Sequence, residues 1–294
     1  MKFIFTFAIL ATFVDTCLLI TFSQSEVPVS IHFRAMVGDE TLGCGRSYEG
    51  VGLTKVKITL RDFRFYVHDL RLIDETGKEF LISLEQDGKW QFERVALLDF
   101  ENGMGSCGNG TVDLNDRVTG SIPTAGRWRG LRFTLGVPFE LNHTDLLSMP
   151  SPLNLTAMSW VWNAGRKFAR LEFSSPEIPQ GFAIHLGSTG CKPNDTSITI
   201  PTQCSEPNRA EIYLPEFNPV TDLVVADLGA LLSDSKLCKK MDQPFRSCMS
   251  NPDDPECGPI FANLGLPFPG QQQKEQRFFR VLHPRADSAE GGTR

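Results

Sequence analysis

Apolar residues recur at every second position in stretch after stretch of this chain, and a period of two excludes most folds at once. Val29, Ile31, Phe33, Ala35 and Val37 alternate with Ser30, His32, Arg34 and Met36, the signature of a strand with one buried face. Val56, Ile58 and Leu60 alternate with Lys55, Lys57 and Thr59 in the same way, and Leu131, Phe133, Leu135 and Val137 with Arg132 and Thr134. Residues 63–73 are apolar on both faces and rich in aromatics, which suits a central strand covered from both sides. Residues 80–84, 157–162, 168–173, 182–186 and 211–214 are further strand candidates, separated by turn-forming runs such as Glu75-Thr76-Gly77 and Gln86-Asp87-Gly88. The best helix candidate is 222–232. Short strands at close spacing predict an all-β fold, an antiparallel β-sandwich-like single domain.

Composition fills in the rest. Of the 294 residues 41% are hydrophobic and 22 are Phe, which excludes a disordered chain. With 29 basic against 35 acidic residues the formal net charge is −6, the wrong sign for a nucleic-acid binder. Lys2 precedes an apolar run broken by Asp15, and Ser23, Gln24 and Ser25 follow it, so residues 1–25 read as a secretory signal. A membrane anchor is the competing reading, which Asp15 disfavours. Residues 26–235 form the β-rich core and 236–282 a loop-rich, disulfide-pinned continuation of the same domain. Residues 283–294 are a flexible tail. No second run is long and apolar enough to span a bilayer. The mature chain is therefore expected to be secreted, periplasmic or extracellular.

There are eight cysteines, and cleavage of the signal would remove Cys17. Spacing suggests bridges Cys191–Cys204 and Cys248–Cys257, with Cys44–Cys107 as a long-range third and Cys238 left over. A thiolate metal site is the alternative use of these residues. Asn109, Asn142, Asn154 and Asn194 each begin a glycosylation sequon.

No nucleophile elbow, phosphate-binding glycine loop, paired-histidine zinc motif or close Cys-x-x-Cys is present, so an enzyme is not expected. Asp62, Asp69, Asp99 and Glu101, near strand ends, read as turn and salt-bridge residues. His32 falls on an outward strand face and His283 in the tail. His68, His143 and His185 sit among apolar neighbours on or beside separate strands. Each alone reads as a hydrogen-bonded core residue, but three raise the odds of a shared site. Imidazoles without carboxylates suit copper or zinc rather than calcium or magnesium. Met158, Trp160 and Trp162 share one face and read, in isolation, as a core stripe.

Several runs together resemble one family. They are Asp62-Phe63-Arg64-Phe65-Tyr66-Val67; Trp90-Gln91 with Ala96-Leu97-Leu98-Asp99-Phe100-Glu101; Gly136-Val137-Pro138-Phe139 leading to Asn142-His143; Pro152-Leu153-Asn154; Met158-Ser159-Trp160-Val161-Trp162; His185-Leu186-Gly187-Ser188-Thr189-Gly190-Cys191; and Cys248-Met249-Ser250 before Cys257. Across roughly residues 28–282 the chain resembles the MbnP-like copper-binding proteins, which are associated with methanobactin operons and related to copper-repressible surface proteins of methane oxidisers. The resemblance implies a secreted or periplasmic protein that holds copper as Cu(I), in copper acquisition or homeostasis. Its ligands would be histidines together with kynurenine, a tryptophan oxidised by a MauG-like di-haem enzyme. His143 and His185 lie in matching motifs, His68 matches less closely, and Trp162 or Trp160 is the tryptophan open to oxidation. Arg166 departs from the pattern, which has an aromatic there. The competing reading is a disulfide-stabilised β-sandwich surface or interaction protein with no metal.

Overall fold

Residues 56–74 form one uninterrupted strand, Val56–Asp74, where the sequence pattern suggests two. The computed structural model describes residues 26–108, 110–160, 165–192, 200–237 and 247–283. The alternation that seems to stop after Leu60 only slips: Arg61 is exposed, while Asp62 turns inward to an ion pair with Arg64. Five strands pair along this one, so its middle is buried on both faces as its aromatic run implies.

On one edge of it, Ala169–Ser175 pairs along residues 59–65 and Trp128–Leu135 takes over along residues 67–74. On the other edge Ser47–Val51, Val95–Asp99 and Glu79–Leu81 follow one another. The handover happens at Tyr66. Its carbonyl accepts from Gly136 N–H at 2.9 Å and its own N–H donates to Phe168 at 2.8 Å. Residues 136–168 therefore leave the sheet and return to it at a single residue. That excursion carries His143, Trp160 and Trp162.

Among the described residues this sheet has nine strands: Ile178–Leu186 extends it beyond Ala169–Ser175, and Ala210–Pro215 extends it beyond Trp128–Leu135. A six-stranded sheet lies against it among the described residues, running Phe279–Leu282, Leu223–Asp227, Val27–Val37, Arg117–Ile122 and Ser83–Leu84, with Glu40–Thr41 paired to the end of Val27–Val37. Pairing is antiparallel except that Val27–Val37 runs parallel to Leu223–Asp227, with Phe33 opposite Val224. Phenylalanines contributed by both sheets fill the gap. The Phe33 ring stands 5.8 Å from Phe133 and 6.2 Å from Phe65, and Phe133 stands 5.0 Å from Phe279, all edge-on. Such pairs add about 0.5–1.5 kcal/mol each beyond the area they bury. The fold is an all-β sandwich.

Three local expectations are corrected. Residues 222–232 are a strand, Leu223–Asp227, followed by one helical turn, Leu228–Leu231. Val224, Val225 and Ala226 are wholly buried between neighbouring strands, and Asp227 Oδ1 caps the turn by accepting from Ala230 N–H at 3.1 Å. Residues 80–84 split into Glu79–Leu81 and Ser83–Leu84, because the chain crosses between sheets at buried Ile82. Residues 157–162 begin as a 3-10 turn, Thr156–Met158, and only Ser159–Trp160 is a strand within the described residues.

The disulfides are Cys44–Cys107, Cys191–Cys204 and Cys248–Cys257, as the spacing suggests. The last one pins the C-terminal part: Cys248 N–H donates to Ala183 and its carbonyl accepts from His185 N–H, both at 2.9 Å. That part then supplies Phe278, Phe279 and strand Phe279–Leu282 to the sandwich itself. The signal at 1–25, Trp162, Cys238, Asn109, Asn194 and the tail beyond His283 lie outside the described residues.

Candidate metal centre

The excursion opens with Pro138, whose fixed φ starts the single turn Phe139–Asn142, and His143 caps its C-terminal end. A helix end leaves carbonyls without partners, and here Arg166 collects them. Its guanidinium, buried to 2% exposure, donates to the carbonyls of Leu141 at 2.7 Å, Asn142 at 2.6 Å, Thr144 at 3.1 Å and Leu153 at 2.9 Å. Arg166 N–H also donates to Asn142 Oδ1 at 2.8 Å. That bond fixes which way the Asn142 amide faces. Its Nδ2–H then donates to His143 Nε2 at 3.0 Å, so Nε2 is the nitrogen carrying the lone pair.

The same Nε2 lies 3.3 Å from Cys204 Sγ and 3.9 Å from Cys191 Sγ. These two cysteines face each other across paired strands Thr189–Lys192 and Gln203–Glu206. Among the described residues, His143, Cys191 and Cys204 are the group of three whose possible ligand atoms all fall within 4.8 Å of one another. In the sequence His143 reads as an isolated histidine and the two cysteines as a bridge, and their spacing gives no sign that they meet. While the sulfurs are bonded to each other they lack the thiolate charge that binds metal, so His143 is the one strong donor of the three.

Trp160 ties this imidazole to the strand of His185. Trp160 pairs with Gly165, where an added Cβ would come within 3.3 Å of His143 Cε1 and 3.2 Å of Asn142 Nδ2. The Trp160 ring lies on Gly187, two residues beyond His185, so closely that a Cβ there would fall 2.5 Å from a ring carbon. Gly187 leaves no room for a side chain against the ring, and Gly165 lets the partner strand lie tightly against Asn142 and His143. Met158 and Trp160 are both buried, as the core-stripe reading expects.

His185 and His68 are each held by a carboxylate. His185 Nε2 lies 2.7 Å from Glu172 Oε1. Burial by itself would raise the Glu172 carboxyl, but hydrogen bonds from His185 and Arg170 outweigh it and hold its pKa at about 2. Burial lowers the pKa of His185, helped by Lys167 and Arg170. A neutral imidazole whose Nε2–H donates to an ionised Glu172 keeps its Nδ1 lone pair, the arrangement that orients metal-binding histidines. His68 Nδ1 lies 2.9 Å from Asp69 Oδ2, and its buried Nε2 has no hydrogen-bond partner. Burial lowers its pKa too, and the guanidiniums of Arg209 and Arg94 add to that effect. Asp69 acts the other way, as Glu172 does at His185, so the two imidazoles have similar electrostatic surroundings. His68, His143 and His185 do not converge as a group of three ligands.

Beside His185 runs a buried charge row that the sequence presents only as scattered turn and salt-bridge residues. Asp62 pairs with Arg64 Nε at 2.9 Å and Arg170 Nε at 3.1 Å, and Arg64 lies 3.6 Å from Glu101. Burial pushes the Asp99 carboxyl up to about 7, with Glu101 and Asp62 acting in the same direction against Arg64. Asp69, as expected, serves a surface pair with Arg94 at 3.3 Å. His283 is exposed and pairs with Asp222 at 3.0 Å. His32 is half-buried beside Ser30. Of the two describable sequons, Asn154 is exposed, whereas Asn142 is 1% exposed with both ends of its amide engaged.

Comparison with known proteins places these features in one lineage. No curated protein sequence matches the chain. Among solved structures, MbnP from Methylosinus trichosporium is similar over 88% of this chain and 99% of its own, with a TM-score of 0.74 and 29% sequence identity. The family model MbnP matches residues 26–250, a span from the first strand to Ser250 just after Cys248. The chain belongs to the MbnP family.

Proposed function

We propose that this protein is a secreted, periplasmic or extracellular copper-binding protein that holds Cu(I) without turnover, in copper acquisition or homeostasis. The observation that carries the reading is the juxtaposition at Trp160. Its strand partner Gly165 abuts His143, and its ring rests on Gly187 beyond His185. His143 Nε2 and His185 Nδ1 are neutral imidazole donors, which suit a soft or borderline cation. The third donor in this reading is kynurenine, formed from Trp162 or Trp160 by a MauG-like di-haem enzyme. Kynurenine offers an aromatic amine, whereas the indole N–H of intact tryptophan only donates. His68, whose surrounding motif matches the family less closely, is the weakest of the three ligand candidates. No helix among the described residues is long and apolar enough to cross a membrane, which accords with release after signal cleavage.

Anaerobic Cu(I) titration against a chromophoric chelator, on the wild type and on His143→Ala and His185→Ala, tests the reading. Weakened binding in both variants supports it. Affinity unchanged in both sinks it in favour of a disulfide-stapled interaction protein. Intact-mass analysis tests the tryptophan arm separately, since an unshifted mass removes kynurenine and leaves the histidines.

A further inference from the structure

We infer that the Cys191–Cys204 disulfide is a redox gate over a second donor set at His143: once it is reduced, the two thiolates and the imidazole form a three-coordinate site for Cu(I). The inference shares His143 with the copper reading above but needs neither His185 nor kynurenine.

The geometry meets the requirement of such a site. Thiolate and imidazole bonds to a d10 cation are about 2.3 Å and 2.0 Å, so a trigonal centre puts the sulfurs about 4.0 Å apart and each about 3.7 Å from the nitrogen. His143 Nε2 already stands 3.3 Å and 3.9 Å from the two sulfurs. The sulfur–sulfur separation has to grow, and Cys204 Sγ has to draw back slightly from Nε2, and breaking the bond allows both. The strands keep the cysteines opposed after reduction: Cys191 pairs with Cys204 and Lys192 with Gln203 in one register. Nε2 carries the lone pair, and the competing donor it must release is the Asn142 amide.

Access selects this bridge among the three. A reducing thiolate must reach a sulfur in line with the bond it breaks. Cys248 and Cys257 are wholly buried; in the Cys44–Cys107 pair Cys44 is half-buried and Cys107 wholly buried, so that bridge can be approached from one sulfur only. Cys191 and Cys204 are both half-buried. The reductant is a dithiol. One of its thiolates attacks Cys191 Sγ, the S–S bond breaks, and the electron pair leaves on Cys204 Sγ beside His143. The second thiol of the reductant passes its proton to Cys204, then attacks the mixed disulfide as thiolate and releases Cys191, which takes a proton from solvent. Protein disulfide plus dithiol gives protein dithiol plus the reductant's disulfide. Cu(I) then displaces both thiol protons, because thiolate is the donor class that selects it.

The experiment treats the mature protein with a graded dithiol series, traps free thiols with iodoacetamide and maps them by mass spectrometry. Parallel samples are desalted anaerobically and titrated with Cu(I) against a chelator. The expected map shows Cys191 and Cys204 alkylated before the other four paired cysteines. Reduced protein should bind Cu(I) tighter than oxidised protein by about two orders of magnitude or more, as thiolate donors replace a disulfide. Alkylating the two thiols before titration should return affinity to the oxidised value, and His143→Ala should weaken the reduced site about tenfold or more, as loss of one of three ligands requires. Simultaneous reduction of all three bridges, or a reduced protein whose affinity equals the alkylated one, overturns the inference. Oxidised protein that binds no Cu(I) refutes the copper reading and leaves this one standing if reduction creates the site.

Discussion

Replacing Arg166 with alanine should destabilise the protein and loosen His143 together. The guanidinium serves four carbonyls, those of Leu141, Asn142, Thr144 and Leu153, at 2.6–3.1 Å in a buried position. A hydrogen bond from a charged donor is worth about 1.5–3 kcal/mol, but three of these share Nη1, so they do not add in full. The charge itself is costly to bury, as its lowered pKa records, with burial the first cause. Water entering the space left by the side chain would satisfy some of the carbonyls. A net loss of about 3–5 kcal/mol follows, the range seen when one partner of a buried charged cluster is removed. Arg166→Lys keeps a charge but has one nitrogen to place among carbonyls that the fork reaches from two sides, and should lose roughly half as much. Urea unfolding of the mature protein, followed by tryptophan fluorescence, gives the midpoint shift at constant slope. Cu(I) affinity of the folded Arg166→Ala protein should fall as well. A loss below about 1 kcal/mol, or an unaltered affinity, would refute the clamp.

Asp99→Asn tests the buried charge row. With its folded pKa raised to about 7, Asp99 holds a proton that the unfolded chain releases, so its contribution is largest at acid pH and is lost as pH rises through 7. Wild-type stability should carry a falling component of up to about 1.4 kcal/mol per pH unit between about pH 5 and 7, absent from the variant in paired urea titrations. Gly187→Ala pushes a methyl to 2.5 Å from the Trp160 ring, which should cost about 1–3 kcal/mol and alter tryptophan emission; an unchanged spectrum contradicts the contact. Cys44→Ser with Cys107→Ser opens a bridge of sequence separation 63 and should lower stability by about 4 kcal/mol in the chain-entropy account. Expressed in a host that glycosylates, Asn154 should carry glycan and folded-protein Asn142 none, by peptide mapping.

The sandwich was legible because its strands bury one face each, and alternation records that directly. Residues 63–73 announced a doubly covered strand for the same reason, since Phe63, Phe65 and Tyr66 all had to be hidden. The strand Leu223–Asp227 was misread as helix because its residues are apolar on both faces, and a fully apolar run shows neither period. In the site, His143 and His185 were visible as histidines in matching motifs, but their surroundings were not. Nothing local in Cys191 or Cys204 points across to His143, because that contact is made by two excursions that meet only in three dimensions. Arg166 stood out as a departure from the family pattern, and the structure shows what it does: it anchors the turn that presents the imidazole. Glu172 gave no signal at all, since its pairing with His185 depends on strand register.

The central claim is that copper binds at His143, and anomalous diffraction at the copper edge from crystals of the Cu(I)-loaded protein tests it most directly. The account predicts one strong peak about 2 Å from His143 Nε2, the length of a metal–imidazole bond, on the side of the Trp160 hairpin and the Cys191–Cys204 pair. A copper peak elsewhere on the chain, with the Asn142 amide still bonded to Nε2, would contradict it.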